Sequence, residues 1–262
     1  MRIVAIGGGD MLGGETAPID RRIIELTGKP RPRALFLPTA SFDDRDYARS
    51  FQITYGKLGC DTDASFLWDG YSRDEIEAII QATKWNSTAY DWEFRGDPES
   101  ARAKVEAADL IYVGGGNTRR MVELWRSIGF DHLLLEAADR GTVLSGLSAG
   151  CICWGRYGNS DAALTEDMGK PTMRVEGLDF LPIALCPHMS REGFRLEEFR
   201  TMMTETPAIG IGLDDGCALE VVDGEYRFLT SIEGAVAHRL MGAEHTVLEP
   251  AEVSGRVSDW EP

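Results

Sequence analysis

Short apolar runs alternate with stretches of helical period along most of the chain, the pattern of a mainly parallel sheet covered on both faces by helices. Arg2 to Ile6 predicts a first strand ending at Gly7-Gly8-Gly9, and Ala34 to Pro38 predicts a second. Tyr47 to Leu58, with Phe51 and Tyr55 on one face, predicts a helix before a strand around Ala64 to Leu67. A short helix is expected at Asp74 to Ala82, a strand at Leu110 to Val113, and a helix at Thr118 to Ile128, where Met121, Leu124, Trp125 and Ile128 share one stripe. Asp131 to Arg140 is a further helix, stopped by Gly141 as a left-handed cap residue would stop it. Thr142 to Gly146 then forms a buried strand leading into Ser148. Later strands are expected at Ile183 to Cys186, Ile209 to Leu213, Ala218 to Val222, Tyr226 to Leu229 and Ala235 to Leu240, with a helix from Arg191 to Met203. The last of these strands are so closely spaced that an antiparallel extension is expected there.

A chain of 262 residues fits one large α/β domain. The expected organisation is a single αβα domain over residues 1–248 and a loosely held polar tail over 249–262. Between Trp68 and Ser100 the strand period lapses and aromatic residues gather, among them Trp85, Tyr90, Trp92 and Phe94, which reads as an inserted segment at the sheet edge or over a site.

Charge narrows the function classes. Lys and Arg number 27 against 43 Asp and Glu, a formal charge of −16. Such a surface repels phosphate backbones and anionic lipid, so neither a nucleic acid nor a membrane is an expected partner. No apolar run approaches the roughly 18 residues of a membrane span, and the amino terminus lacks a signal-peptide pattern, so a cytoplasmic location is expected. The five cysteines are odd in number and set mostly in apolar runs, which reads as buried thiols. Cys151 and Cys153 form a C-x-C pair with no second pair at ligand spacing, so no metal is expected.

Two constellations carry chemistry. Gly146-Leu147-Ser148-Ala149-Gly150 follows a buried strand and leads into a helix, the setting of a nucleophile elbow in which small residues allow a tight turn and the helix start offers N–H groups to an oxyanion. Gly114-Gly115-Gly116-Asn117-Thr118, at the end of a strand, lets the backbone approach a ligand closely, and it lacks the Lys-Ser/Thr pair of a phosphate loop. Both lie at the carboxyl edge of the sheet, where open α/β folds bind ligands. Among His132, His188, His238 and His245, His188 closes an apolar strand and is the best candidate base for Ser148. Gly7-Gly8-Gly9-Asp10 resembles a nucleotide turn without the full G-x-G-x-x-G spacing.

In order and spacing, Val113 to Thr118, Gly146 to Gly150, Cys186-Pro187-His188 and Gly212-Leu213-Asp214-Asp215-Gly216 resemble the peptidase E family, which contains α-aspartyl dipeptidases and, more distantly, cyanophycinases. The resemblance runs from about Leu35 to Val222 and leaves out the insert and the tail. It implies a three-layer αβα fold similar to class I glutamine amidotransferases, which is flavodoxin-like, with serine replacing their cysteine. Carried over by position, it implies Ser148 as nucleophile, His188 as base, and the N–H groups of Gly116 and Ala149 as oxyanion hole, beside Gly114, Gly115, Asn117 and Thr118. For the third member it favours Asp215 and leaves Asp161 and Glu166 open. Arg195, with Arg191 as the alternative, is implied as the cation for an aspartyl substrate. The implied activity is serine-type hydrolysis of a small peptide without metal or organic cofactor; a homodimer is the assembly left open. An α/β-hydrolase esterase with chain order serine, acid, histidine, and a non-catalytic small-molecule binder on the same scaffold, are the competing readings.

Overall fold

The computed structural model describes residues 1–68, 98–166, 169, 171–191, 193–242 and 244–260. Its larger sheet has eight strands. β1 (Arg2–Ile6), β2 (Arg33–Leu37), β3 (Asp61–Ala64), β4 (Leu110–Val113) and β5 (Val143–Leu147) lie parallel in the order β1-β5-β4-β2-β3. A smaller six-stranded sheet contains β6 (Gly155–Ser160), β7 (Met173–Glu176), β8 (Leu181–Cys186) and β9 (Ile209–Leu213), of which β6, β8 and β9 are parallel. The chain then returns to the larger sheet through β10 (Cys217–Val222), antiparallel to β1, and β11 (Glu225–Thr230). β12 (Ala237–Met241) and β13 (Glu244–Leu248) extend the smaller sheet, and β14 (Ser254–Arg256) ends the larger one beside β11. The antiparallel extension expected of the late strands is therefore shared between two sheets.

Period-two alternation makes the larger sheet the middle of three layers. Val4, Ile6, Phe36 and Tyr112 pack on one face against Ile19 and Ile23 of α1 (Ala17–Leu26) and Phe51 and Tyr55 of α2 (Arg45–Lys57). Ile3, Leu35, Ile111 and Val113 pack on the other against Val105 of α3 (Pro98–Ala107), Met121 and Trp125 of α4 (Thr118–Ile128) and Leu134 of α5 (Phe130–Asp139). Local chemistry sets the helix ends. Asp44 accepts a hydrogen bond from the Tyr47 N–H at the start of α2, Asn117 accepts one from the Arg120 N–H at the start of α4, and Gly129 closes α4 at φ 71°. Among the described residues the remaining α-helices are α6 (Ala149–Ile152), α7 (Ala162–Thr165) and α8 (Arg195–Thr204).

Several elements differ from the sequence expectation. β3 begins three residues before Ala64 because Asp61, Thr62 and Asp63 are a polar edge strand whose ladder partner is β2, a pairing that hydropathy does not reveal. No element is expected from the sequence at α1, β6 or β7, although Ile19 and Ile23 give α1 a helical period. β6 and β7 hold the polar residues Arg156, Asn159, Ser160 and Arg174, and their strand character comes from pairing with β8 and each other. The segment expected as a loose tail is anchored: β14 pairs with β11, and Trp260 is buried with its ring 4.5 Å from that of Tyr226. The expected helix at Asp74 to Ala82 and most of the aromatic insert lie outside the described residues. At the insert's start, Trp68 is buried and donates its indole N–H to the Thr39 carbonyl at 2.7 Å.

Candidate active site

The end of β1 organises the site through three successive carbonyls. Ile6 O accepts from the Ser148 N–H at 3.1 Å, Gly7 O from the His188 N–H at 3.1 Å, and Gly8 O from the Gly216 N–H at 2.9 Å. These bonds gather three loops that arrive from β5, from β8, and from the crossing between β9 and β10. The site thus lies where the two sheets meet, at the carboxyl ends of β1, β5, β8 and β9.

Ser148 occupies the turn between β5 and α6 at φ 58° and ψ −108°, a strained conformation for a residue with a Cβ. Its flanks explain why only small residues fit. A Cβ on Gly146 would lie 2.5 Å from the Gly150 carbonyl oxygen, and one on Gly150 would overlap the Val113 carbonyl. His188 is also left-handed, at φ 57°, directly after Pro187 and β8. The imidazole spans two partners: Nε2 lies 2.9 Å from Ser148 Oγ and Nδ1 lies 2.7 Å from Asp215 Oδ1. The Asp215 backbone N–H is held by Ser190 Oγ at 3.2 Å. With Nδ1–H donating to the carboxylate, Nε2 is left with a lone pair facing the serine hydroxyl, which is the arrangement that can remove its proton.

The glycine loop closes the other side. A Cβ on Gly115 would sit 3.3 Å from Ser148 Cβ and 3.7 Å from Ser148 Oγ, so this backbone lies against the hydroxyl. Gly116 adopts φ 137°, where a Cβ would overlap the Ala40 carbonyl, and the Asn117 N–H donates to that same carbonyl at 2.7 Å. Among the described residues, neither the Gly116 nor the Ala149 N–H donates a hydrogen bond.

The family model for Peptidase family S51 matches residues 3–84 and 93–229. The chain belongs to peptidase family S51. As an S51 member it is a serine peptidase with the flavodoxin-like, class I glutamine amidotransferase-like α/β fold. It is 31% identical over 251 residues to the uncharacterized peptidase YgaJ of Bacillus subtilis, covering 95% of each chain. It is 28% identical over 168 residues to peptidase E of Salmonella typhimurium, covering 60% of this chain and 69% of that one. The fold matches the crystal structure of a peptidase from an acI-B1 Actinobacterium with TM-score 0.66 at 19% identity, over 97% and 96% of the two chains. A putative peptidase E from Listeria monocytogenes matches with TM-score 0.59 at 17% identity, over 87% and 98%. The S51 match starts at β1 and enters the aromatic segment from both sides, so it is wider than the Leu35 to Val222 span and does not leave that whole segment out.

Within this S51 peptidase the two other acids stand apart from His188. Asp161 is 39% exposed and its Oδ2 lies 4.0 Å from Arg195 Nη2. Glu166 accepts from Asn117 Nδ2 at 3.0 Å, pairs with the Arg119 guanidinium, and lies 3.4 Å from Arg120 Nε. Burial pushes the Glu166 carboxyl up, but the hydrogen bonds of Arg119 and Asn117 and the charges of both arginines outweigh it and hold the group below its ordinary value. The acid on His188 follows it in the chain, so the order serine, acid, histidine of an α/β-hydrolase esterase does not apply.

The cations separate. Arg195 is buried at 1% exposure, with Nη1 3.4 Å from Asn159 Oδ1, whereas Arg191 is exposed one turn after His188. Thr118 is fully buried. His238 and His245 stack on each other, and His238 Nε2 lies 3.2 Å from Asp214 Oδ1, next to Asp215. No group among the described residues could hold a metal ion; Cys151 and Cys153 are fully buried and their thiols are pushed well up by burial. No helix of the described residues is long and apolar enough to cross a membrane.

The residues that sequence reasoning missed are Gly7, Gly8 and Ser190. Glycines directly after the first strand were the available signal, and they resemble a nucleotide turn without its full spacing, whereas the structure turns them toward His188 and Asp215.

Proposed function

We propose that the protein hydrolyses short peptides through a triad of Ser148, His188 and Asp215. The single observation that carries this reading is the imidazole held between Ser148 Oγ at 2.9 Å and Asp215 Oδ1 at 2.7 Å. A serine hydroxyl is a poor nucleophile at neutral pH, so His188 Nε2 takes its proton as Oγ attacks the scissile carbonyl. Asp215 holds the ring in the tautomer that leaves Nε2 free and stabilises the imidazolium that forms. The unpaired N–H groups of Gly116 and Ala149 are suited to the oxyanion, a contribution of about 3–4 kcal/mol per donor when one is removed. His188 then returns the proton to the leaving amine, and water repeats the cycle on the acyl-enzyme.

An aspartyl preference requires a cation that substrate can reach, because the net charge of −16 opposes an acidic peptide. Arg191 has that exposure, while Arg195 is enclosed beside Asn159 and Asp161. The test is turnover of an Asp-Xaa peptide panel by the wild type and by Ser148→Ala. Turnover should vanish in the variant while thermal unfolding is unchanged, and retained turnover would refute the triad.

A further inference from the structure

We propose that Tyr47 is a positioning residue for the hydrolytic reaction, setting the glycine loop against Ser148; this rests on the triad reading above. Tyr47 lies in the first turn of α2, on the face of the larger sheet opposite α4, and no motif marks it. Its backbone is fixed by the Asp44 side chain, which accepts from the Tyr47 N–H at 3.0 Å. Its ring is fixed on two sides: it meets Phe36 edge-on, with centroids 5.0 Å apart and planes at 70°, and a Cβ on Gly114 would lie 2.8 Å from Tyr47 Cε1.

From that position the phenol oxygen accepts the Gly115 N–H at 3.2 Å. Gly115 is the residue whose backbone lies against Ser148, with a Cβ placed on it falling 3.7 Å from Oγ. Three adjacent glycines have little preference of their own for one backbone conformation. The hydrogen bond from Gly115 to Tyr47 fixes the peptide plane between Gly114 and Gly115, and the bond from Asn117 to Ala40 fixes the far end of the loop. Gly116 lies between these two anchors, and among the described residues its N–H donates no hydrogen bond. Burial raises the Tyr47 hydroxyl above its ordinary pKa, so the oxygen stays a neutral acceptor at working pH. The side chain stands behind the loop and steadies a donor whose value in the transition state depends on placement to within about 1 Å.

Tyr47→Phe keeps the ring contacts and removes only the oxygen. Expected are a kcat lower by about 10-fold, a similar fall in the rate of covalent labelling by a fluorophosphonate probe, and a KM within about twofold. Phenylalanine scaffolding alone would leave both rates at wild-type values, and rates within twofold of wild type overturn the inference. Ser148→Ala is measured in parallel: if it keeps turnover, the triad reading fails; if it is inactive while Tyr47→Phe is unaffected, only the role of Tyr47 fails. Hydrogen exchange of the Gly115 amide in the wild-type protein gives an independent reading that does not require the variant to fold. Slow exchange is expected, and exchange at the rate of an open loop overturns the inference.

Discussion

Gly8 faces Asp215 so closely that a methyl group on its Cα would overlap the Asp215 carboxylate and lie 2.5 Å from His188 Nδ1. The end of β1 is thus the floor beneath the bond between the imidazole and its acid, and the space exists only because residue 8 has no side chain. Gly8→Ala should lower kcat/KM by about 100-fold or more, because the carboxylate must move off Nδ1 to make room. Peptide turnover and fluorophosphonate labelling check this, and a variant within threefold of wild type contradicts it.

The assignment of the acid separates by amide substitution. Asp215→Asn keeps the shape of the loop but favours the wrong imidazole tautomer, and kcat should fall by about 10⁴-fold, as in other serine triads. Asp161→Asn should keep more than a tenth of wild-type kcat, since Asp161 lies beside Arg195 and not beside His188. The reverse ranking in single-turnover assays would move the triad acid to Asp161.

Asp20 predicts a pH dependence of stability. This fully buried carboxyl in α1 accepts from Thr16 Oγ1 at 2.7 Å and from the Tyr55 hydroxyl at 2.9 Å. Burial outweighs both hydrogen bonds and the nearby Arg21 charge, and it pushes the pKa from 3.8 to about 6. The folded chain therefore binds this proton more tightly than the unfolded chain. The group's contribution is present at low pH and lost as pH rises through the folded-state value, with a full range of about 3 kcal/mol. In urea unfolding at pH 4.5 and 7.5, Asp20→Asn should lose ground to wild type at the acidic pH and regain it at the higher one; an equal difference at both would refute this.

Glu220 has the opposite sign. It is 5% exposed on β10 and bridges Arg22 Nε at 2.7 Å and Arg227 Nε at 2.6 Å. Burial pushes its carboxyl up, but the bonds to the two arginines outweigh that and hold it below 4.5. Its contribution is present above the unfolded-state value and lost as pH falls through the folded one. Arg22→Met, which keeps the apolar stem, should cost about 1 kcal/mol at pH 7 and less at pH 3, read from urea midpoints. A cost that does not shrink on acidification would show that the ion pair is not its source.

Much of the fold was legible where local pattern and tertiary burial agree. β1, β4, β9 and α4 fall at their expected positions, because strands buried on both faces are nearly continuous apolar runs and α4 carries a full stripe between Asn117 and Gly129. β6, β7, β13 and β14 were not legible, since their polar residues take strand form only when a neighbouring strand supplies the hydrogen bonds. Within the site, Ser148 and His188 could be named from small residues around a turn and a histidine closing a strand. Gly8 and Tyr47 could not, because their importance comes from what lies across from them.

The sequence alone determined the alternation of strands and helices, the tight turn at Ser148 and the acidic surface, since each depends on residues close together in the chain or on a simple count. The tertiary structure decided which carboxylate meets His188. The family resemblance favours Asp215 but leaves Asp161 and Glu166 open, and the crossing from β9 to β10, held by Gly8 and Ser190, is what brings Asp215 within 2.7 Å of the imidazole. A hydrogen bond depends on distance in space, and three loops brought together at one strand end leave no local signature of that distance in the chain.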